Sequence, residues 1–526
     1  MNRPIPRLTA TDSTLIVIDV QDRLLAKMPT AAALVRNTAF LLDAAALLGI
    51  PAVGTEQYPK GLGPTTPDLA RRLPAGLPAK TAFSCCGATR FLDDLRGLGR
   101  SSVVLSGMET HVCVLHTALD LLEAGFSVFL PVDALSSRAA IDHETALRRL
   151  ERAGAVPTTS EAVAFEWIAD ASHPQFLQIM TETQEMLRLT YRTANRLTIP
   201  VSATGMAGME TCLVNLVEPG DRAVVCTKGF FGQRMVEVAG RAGAEVTVLE
   251  RPWGQVFDLD QIRDTLKQVR PKVLGIVQAE TSTGAWQPIE QLGKLCHEFD
   301  TLLIVDAVTS LGCVPVEVDR WELDAVYSCT QKGLGCPPGL SPVTFSDRAV
   351  AALKARKTKV QSWYLDLSLI ESYWGGDRAY HHTAPITMTY ALREGLRIVL
   401  EEGLEARWDR HVRNHKALKA GLQALGLSYI AAEGHQLPQL NAVRLPDGVD
   451  DAAGRKQLLA DFGIEVGGGL GDFKGKAWRI GLMGYNSRPN CVVQVLASLE
   501  QVLRTQGSKV EPGAGVAAAE KVYTAG

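Results

Sequence analysis

Residues 328–341 read SCTQKGLGCPPGLS and contain a lysine, Lys332, whose neighbours are small or turn-forming. The apolar, strand-like run DAVYSC leads into this loop. A lysine that ends a strand without bulky neighbours can present its amine to a carbonyl compound and form a Schiff base. Most loop lysines are solvated charges, so this prediction depends on residues elsewhere in the chain.

An acidic residue at the end of a second apolar run supports this chemistry. Residues 301–310 read TLLIVDAVTS, in which the apolar run ends at Asp306. A short run with β-branched residues predicts a strand buried on both faces. A carboxylate there is costly without a cationic partner, and the protonated pyridine nitrogen of pyridoxal phosphate is such a partner. The alternative for Asp306 is an acid that caps a helix or a turn.

Other residues of the second half could help to hold such a cofactor. The run LTIPVSATG precedes a helical pattern, and small residues at a helix N-terminus leave N–H groups free for a phosphate. Phe231 in CTKGFFGQR could stack on a flat ring, although an aromatic residue there is usually part of the core. Hydroxyls within residues 281–283 could contact the ring or the phosphate, although surface turns use the same residue types.

The first half of the chain indicates a different chemistry. Asp19 closes the run LIVID, Lys80 lies in PAKTAFS, and Cys113 lies in SGMETHVCVLHTALDLL. Cys113 is near a predicted helix start, where the helix dipole is expected to lower the pKa of a thiol. A thiolate with a carboxylate to relay a proton and a lysine to stabilise charge would make a nucleophilic hydrolase. The alternative for Cys113 is a small buried hydrophobic residue.

Strand-like runs alternate with helical stretches in both halves, and this alternation positions all of these residues. LIVIDV, AVGTEQ, SVVLSG and SVFLPVDA are each followed by a helical pattern, which predicts a parallel α/β sheet. Active sites in such sheets gather at the carboxyl ends of the strands. The last residues, GSKVEPGAGVAAAEKVYTAG, have no periodicity and predict a disordered tail.

Length and composition predict a multidomain protein of ordinary type. The 526 residues are too many for one core, and contents of 46% hydrophobic and 21% charged residues are usual for a soluble chain. A net charge of −3 gives no reason to expect nucleic acid or an anionic membrane. No bilayer-spanning run or signal peptide is evident, so the cytoplasm is expected. The spacing of the ten cysteines predicts reduced thiols and no zinc site.

The first half resembles the isochorismatase-like cysteine hydrolases in VIDVQDRL, TEQYPKGLGPT, AKTAFS, SGMETHVCVLHTALDLLEAG and VDALSSR. The resemblance implies a Rossmann-like parallel sheet and a catalytic triad of Asp19, Lys80 and Cys113. Metal-dependent nicotinamidases of that superfamily carry an Asp and His cluster where this chain has EQY at residues 56–58. The expectation is therefore a hydrolase without a metal.

The second half resembles the class V aminotransferases, in particular those that use glyoxylate, in GMETCLVNLVEPGD, ETSTG, VDAVTSLG, SCTQKGLGCPPG, SWYLDLS, YHHTAPITMTYALREGL and WRIGLMGYNS. The resemblance implies a type I fold for enzymes that depend on pyridoxal phosphate. It also implies Lys332 as the Schiff-base lysine and catalytic base, Asp306 on the pyridine nitrogen and Phe231 against the ring.

The same resemblance implies further roles. The cofactor would also contact Thr204, Gly205, Met206, Thr281, Val308 and Gln331. Tyr380 and Thr383 would reach the phosphate of a neighbouring subunit, so a homodimer or larger homo-oligomer is expected. Arg479 would bind the substrate carboxylate, because a planar guanidinium pairs with it through two parallel hydrogen bonds.

The predicted domains are a hydrolase over residues 1–172, a large cofactor-binding domain over 173–385, a small α/β domain over 386–505 and the tail. The expected function is amino transfer from alanine or serine to glyoxylate, fused to hydrolysis of an amide or ester, with amino acids and 2-oxo acids as the small-molecule partners. One alternative is a ureidoglycine–glyoxylate transaminase with a ureido or amide hydrolase. Another is a hydrolase on a silent aminotransferase scaffold, because the hydrolase occupies the place of the family's leading Gly- and Pro-rich segment.

Overall fold

The computed structural model describes residues 7–169, 174–375 and 379–525. The chain forms two compact units, Met1–Gln178 and Ile179–Gly526. The predicted boundary between residues 172 and 173 lies outside the described residues. No described helix combines the length and the apolar character that crossing a membrane requires.

The first unit alternates strands and helices in the predicted order. Its elements are β1 (Ser13–Ile18), α1 (Asp22–Leu25), α2 (Ala31–Leu47), β2 (Ala52–Gln57), α3 (Pro59–Leu62), α4 (Pro67–Ala70), β3 (Ala79–Lys80), α5 (Phe91–Gly97), β4 (Ser102–Met108), α6 (Leu115–Glu123), β5 (Ser127–Pro131), β6 (Leu135–Ser136), α7 (Ala140–Ala153), β7 (Val156–Thr158) and α8 (Ser160–Ile168).

The strands of this unit form one parallel sheet in the order β3-β2-β1-β4-β5-β7, with β6 paired to β4. The central strands β1 and β4 are buried along their whole length. Alternate residues of β1 face two different clusters: Leu15 and Val17 pack in one, Ile16 and Ile18 in the other. A strand that is apolar on both faces is covered on both faces, which is why LIVI is uninterrupted.

The second unit is longer and contains α9 (Pro174–Tyr191), β8 (Leu197–Val201), α10 (Gly205–Leu216), β9 (Arg222–Thr227), α11 (Phe230–Arg241), β10 (Glu245–Glu250), α12 (Leu259–Val269), β11 (Val273–Val277), β12 (Ala279–Glu280), β13 (Ala285–Trp286), α13 (Leu292–Glu298), β14 (Leu302–Asp306), β15 (Ala325–Tyr327), β16 (Ser341–Phe345), α14 (Asp347–Lys354) and α15 (Leu367–Trp374). Helix α9 begins before the division at Gln178.

The main sheet of this unit has the order β10-β9-β11-β14-β15-β16-β8. Strands β10 to β15 in that order are parallel, whereas β16 and β8 pair antiparallel at one side. Short β12 and β13 form a separate hairpin. The parallel part places the ends of β9, β11, β14 and β15 along one edge, as the alternation of strands and helices predicted.

The remaining elements form a smaller α/β layer. They are α16 (Ile386–Glu402), α17 (Leu404–Ala424), β17 (Ser428–Tyr429), β18 (Leu440–Arg444), α18 (Asp451–Phe462), β19 (Gly467–Gly468), β20 (Ala477–Gly481), α19 (Pro489–Thr505) and α20 (Ala514–Thr524). The four strands pair antiparallel in the order β17-β18-β20-β19. The predicted α/β fold is confirmed, with a parallel sheet in the first unit and a large and a small α/β layer in the second.

The predicted disordered tail is wrong for the described residues up to 525, because α20 is helical and packed. Ala519 is fully buried in the cluster of the small layer, together with Leu425. The hydroxyl of Tyr523 donates to Asn414 Oδ1 at 2.7 Å. Tertiary contact therefore stabilises a helix that is too short and too weakly patterned to be recognised from the sequence.

Candidate active sites

In the first unit, the strand order brings the three predicted residues to one edge of the sheet. Asp19 follows β1, Lys80 ends β3, and Cys113 lies in the π-helical turn Thr110–Val114 after β4. Because the strands are parallel, their carboxyl ends meet at this edge. A helical segment does begin next to Cys113, as predicted.

The three side chains contact one another through the Asp19 carboxylate. Lys80 Nζ donates to Asp19 Oδ2 at 2.6 Å, and both side chains are 0% exposed. The charge of the same carboxylate acts on the Cys113 thiol. The Thr55 hydroxyl donates to Asp19 Oδ1 at 2.9 Å. Lys80 also donates to Gln57 Oε1 at 2.7 Å, so the buried ammonium is both neutralised and hydrogen-bonded.

Burial controls the protonation of this site. Loss of water and, to a smaller extent, the charge of Asp19 together raise the pKa of Cys113 to about 12. Burial also raises the pKa of Asp19, against the opposing effect of Lys80. The expectation that the helix start lowers the pKa of Cys113 is therefore wrong, because desolvation outweighs the backbone dipoles. The resting group is a thiol beside a carboxylate, which can accept the thiol proton when sulfur attacks a carbonyl.

Thr55, Gln57 and Cys85 also lie at this site, although the sequence motifs did not select them as site residues. Cys85 Sγ lies 3.2 Å from the Thr55 hydroxyl, and burial raises the pKa of Cys85 to about 12. Thr55 and Gln57 lie on β2, which neighbours β1, so the period-two pattern of β2 was the available signal.

In the second unit, Asp306 ends β14 at the centre of the sheet and is 3% exposed. Its Oδ1 accepts the Val308 N–H at 2.8 Å, and its Oδ2 accepts the Tyr327 hydroxyl at 2.8 Å. Burial nevertheless raises the pKa of Asp306 to about 6. Two hydrogen bonds thus compensate only part of the desolvation, and the carboxylate is suited to a cationic partner.

Lys332 is half-buried in the loop that follows β15. The charges of Lys332 and of Asp306 both act on the thiol of Cys329. Arg407 of α17 is 4% exposed and contacts this loop. Its Nη2 donates to Gly333 O of the loop at 2.7 Å. Its Nε donates to Gly312 O, between β14 and β15, at 2.8 Å. The loop that contains Lys332 is therefore held by a guanidinium from the small layer.

The start of α10 lies against the same residues. A Cβ on Gly205 would be 3.0 Å from Cys329 Cβ and 3.2 Å from Val308 Cγ2, so only glycine fits this approach without displacement. Thr204 precedes the helix without a side-chain capping bond. Among the described residues, the N–H groups of Gly205 and Met206 have no hydrogen-bond acceptor. They are therefore available to an anion at this helix N-terminus.

Phe231 is half-buried in the first turn of α11, where Glu280 caps the helix. The Glu280 carboxylate accepts N–H groups of Phe231 at 3.2 Å and Gly232 at 3.3 Å. The Phe230 and Phe231 rings meet edge to face with centroids 5.6 Å apart. A carboxylate at a helix N-terminus complements the dipole and holds the backbone of the helix start that carries Phe231.

Arg479 lies on β20 of the small layer and interacts electrostatically with Glu280. Its Nε donates to Gly468 O at 2.8 Å. Burial lowers the pKa of Arg479. In the described part of the chain, its two terminal nitrogens have no hydrogen-bond acceptor. A half-buried guanidinium with free parallel donors is suited to a carboxylate.

The other predicted residues are less closely tied to Asp306. Thr281 is buried beside Glu280 at 5% exposure. Gln331 is exposed next to Lys332. Tyr380 is 78% exposed, and its hydroxyl lies 3.2 Å from the hydroxyl of Thr383, which is exposed as well.

Sequence reasoning missed three buried residues next to this site, Lys228, Glu280 and Tyr327. Lys228 directly follows β9, Glu280 ends β12 and Tyr327 ends β15. Lys228 and Tyr327 are polar groups at the ends of apolar strands, the criterion that did select Asp306, whereas Glu280 ends a strand of only 2 residues. That criterion could have been applied to every strand.

The chain is similar to known proteins over both units. Residues 13–162 match the isochorismatase domain, and residues 169–487 match the class-V aminotransferase domain. The (S)-ureidoglycine–glyoxylate transaminase of Bacillus subtilis is 42% identical over 66% of this chain and 88% of that protein. The alanine–glyoxylate aminotransferase of Mus musculus is 39% identical over 63% of this chain and 81% of that protein.

A solved structure is also similar to this chain in sequence and fold. The crystal structure of an alanine–glyoxylate aminotransferase from Nostoc sp. has 53% sequence identity and a TM-score of 0.62, and the match covers 63% of this chain and 88% of that chain. The aminotransferase match spans more than half of the chain, and the hydrolase match fills most of the first unit. The chain therefore belongs to the class-V aminotransferase family and joins that domain to an isochorismatase domain in one bifunctional enzyme.

Proposed function

We propose that the second unit is a pyridoxal-phosphate-dependent transaminase that moves an amino group from alanine or serine to glyoxylate. The observation that carries this proposal is the Asp306 carboxylate, which is buried, accepts two hydrogen bonds and has a pKa of about 6. Such a carboxylate is stabilised by a cation, and a protonated pyridine nitrogen at the strand end provides one.

The neighbouring residues fit this cofactor. The free N–H groups of Gly205 and Met206 suit a phosphate, and the fixed ring of Phe231 suits the face of a pyridine ring. We assign the other cofactor contacts to Thr204, Thr281, Val308 and Gln331. A lysine in a loop that Arg407 holds through the carbonyl of the adjacent Gly333 suits the Schiff base.

The chain's own residues would divide the work as follows. When bound, the cofactor supplies an aldehyde for the amino group and a ring that withdraws electrons from the reacting carbon. Lys332 would take the proton from the α-carbon of the substrate and deliver it to the cofactor. Asp306 holds the proton on the ring nitrogen, and Arg479 binds the substrate carboxylate through two parallel hydrogen bonds.

We also propose a homodimer or larger homo-oligomer. Tyr380 and Thr383 are exposed and hydrogen-bonded to each other, which suits two hydroxyls that reach the phosphate in a neighbouring subunit. Size-exclusion chromatography with light scattering tests this. A monomer at micromolar concentration with full activity would contradict it.

For the first unit we propose a metal-free cysteine hydrolase that cleaves an amide or ester. The Cys113 sulfur would attack the carbonyl carbon while its proton passes to Asp19, and Lys80 balances the charge of the carboxylate. Asp19 would then protonate the leaving amine or alcohol. Water, deprotonated by Asp19, would release the acid from sulfur and restore the thiol.

Ureidoglycine is a second candidate donor. A relative named for this donor, from Bacillus subtilis, is 42% identical to this chain. A hydrolase on the same chain that cleaves ureido or amide bonds would suit successive reactions on ureido compounds. Both candidates share glyoxylate as the acceptor.

One set of assays separates these functions. Purified protein is incubated with pyridoxal phosphate and glyoxylate and with alanine, serine or ureidoglycine, and glycine formation is measured. The highest kcat/KM identifies the donor. Lys332→Ala should remove the visible absorption band of the bound cofactor and all transfer. A band with no turnover of any donor would favour a silent scaffold, and a band that persists unchanged in Lys332→Ala would refute the lysine assignment.

We propose the cytoplasm as the compartment and residues 1–172, 173–385 and 386–505 as the domains. All ten cysteines are free thiols, and eight of them are buried, which suits a reducing environment. Limited proteolysis with mass spectrometry tests the domain limits. The proposed limits predict cleavage between the domains rather than within β1–β7 or β8–β16.

A further inference from the structure

Lys228 is a buried lysine at the edge of the main sheet where β9, β11, β14 and β15 end. It directly follows β9, and it is 1% exposed. Its Nζ donates to the carbonyl oxygen of Val277 at 3.0 Å. Across the described residues, Nζ has no second hydrogen-bond acceptor. A buried ammonium with one neutral acceptor is costly, so the charges nearby decide whether it is tolerated.

Two carboxylates provide these charges. Val277 ends β11, the strand between β9 and β14, and it is paired in register with Asp306. Lys228 therefore reaches across the end of β11 towards Asp306. Its ammonium interacts with Glu280 and with Asp306. Burial lowers the pKa of Lys228 to about 8, and the two carboxylates oppose that shift.

Without Lys228, the two carboxylates would repel each other in a place that water does not reach. Glu280 is fully buried, and its charge raises the pKa of Asp306, whereas the charge of Lys228 lowers it. The other titratable groups that interact with these three residues are Tyr191, Cys212, Cys226, Tyr327, Cys329 and Arg479. Of these, Arg479 is the second cation, and it acts on Glu280.

We propose that Lys228 is a positioning residue of the transaminase site, whose ammonium keeps Asp306 ionised beside Glu280 and so prepares it for a protonated pyridine nitrogen. This inference rests on the proposed cofactor chemistry. Lys228 would touch neither substrate nor cofactor, and it would act through the charge of Asp306. The consequence is that the affinity for the cofactor depends on Lys228 most strongly at the lower end of the working pH range.

The first experiment measures the dissociation constant of pyridoxal phosphate from pH 5.5 to 8.5 by fluorescence. The proteins are the wild type, Lys228→Met, Lys228→Gln and Lys267→Met, which removes an exposed lysine from the same unit. In the wild type, binding should weaken as the pH falls through about 6, because Asp306 takes up a proton. In both Lys228 variants this weakening should begin about one pH unit higher, with about threefold weaker binding near pH 6.5. Proton uptake by the free cofactor is common to all four proteins.

The Gln variant separates charge from structure. Glutamine keeps an N–H donor for Val277 and most of the side-chain volume but carries no charge. If Lys228→Gln restores the wild-type pH profile, the role is a hydrogen bond or packing, and the proposal is overturned. If Lys228→Gln behaves as Lys228→Met while Lys267→Met behaves as the wild type, the charge carries the effect.

A second experiment uses the protein without cofactor and so does not depend on the proposed function. The shift in melting temperature caused by Lys228→Met is measured at pH 7 in the wild type and in Asp306→Asn. Lys228→Met should lower the melting temperature by several degrees more when Asp306 is present than in Asp306→Asn. With Asp306 present, the variant leaves a carboxylate without its cation. Equal shifts in both backgrounds would overturn the proposal. If the wild type takes up no pyridoxal phosphate at all, the proposed function fails, whereas this coupling still decides the electrostatic claim.

Discussion

At the scale of single residues, burial sets the protonation of the reactive groups. Cys113, Asp19 and Asp306 all have a raised pKa, and burial is the largest cause in each case. The positions of these residues could be predicted, because each lies at or just after an apolar run. Their protonation could not, because it depends on side chains from distant segments, such as Asp19 against Cys113.

Asp19→Asn should make Cys113 more reactive towards an alkylating agent although it removes hydrolysis. The charge of Asp19 raises the pKa of Cys113, and without it the Lys80 ammonium would lower that pKa. We expect the rate of iodoacetamide modification at pH 8 to rise by about tenfold, measured by mass spectrometry of the Cys113 peptide.

Cys113→Ala is the control that identifies the peptide, and circular dichroism checks that Asp19→Asn is folded, because it leaves a buried ammonium without its partner. Slower modification in Asp19→Asn would show that Asp19 activates the thiol in the resting protein.

The stability of the protein without cofactor should depend on Asp306 between pH 4 and 6. The folded-state pKa is about 6, above the ordinary value of 3.8, so this residue favours the folded state most below pH 4 and its contribution is lost as the pH rises through 6. Over that range the effect is on the order of 3 kcal/mol. Asp306→Asn should flatten this part of the pH dependence of unfolding by urea. An unchanged slope would contradict the raised pKa.

At the scale of elements, strand ends position the sites, and tertiary contacts decide the weaker helices. The central strands of both sheets were predictable because their apolar runs are uninterrupted, as in LLIVD of β14. Helix α20 was not, because it has only 11 residues and its apolar face is narrow. The packing of Gly515 against Leu425 and of Ala519 into the core supplies what the pattern lacks.

Removal of residues 512–526 should therefore lower the melting temperature of the second unit. The deletion exposes the surface of α17 that α20 covers and removes the bond from Tyr523 to Asn414. We expect a decrease on the order of 5 °C, measured by differential scanning calorimetry. Tyr523→Phe, which removes only the hydrogen bond, should cost less than half of this. An unchanged melting temperature would mean that α20 adds nothing to stability.

At the scale of the whole molecule, two sets of candidate site residues lie on two separately packed units. The Asp19, Lys80 and Cys113 set contacts residues of the first unit, and the Asp306 and Lys332 set contacts residues of the second. The alternation of strands and helices made the two sheets predictable. Which buried residues meet at the strand ends was not predictable. Strands such as β9, β11 and β14 are neighbours in the sheet but far apart in the sequence.

The two activities should therefore fail independently. Cys113→Ala should abolish hydrolysis of an amide or ester panel and leave kcat/KM for transamination within about twofold. Lys332→Ala should do the reverse. Each variant serves as the folding control for the other, and loss of both activities in either variant would demonstrate coupling between the units.

The guanidinium of Arg407 has a consequence for the engineering of chimeric enzymes. It bonds the carbonyl of Gly333, next to Lys332, and the carbonyl of Gly312, between β14 and β15, yet it comes from a helix that begins at Leu404. A recombination point between these segments would graft a foreign helix onto the loop. Exchange of carboxyl-terminal segments among relatives should therefore yield active offspring only when the incoming segment carries an arginine at this position.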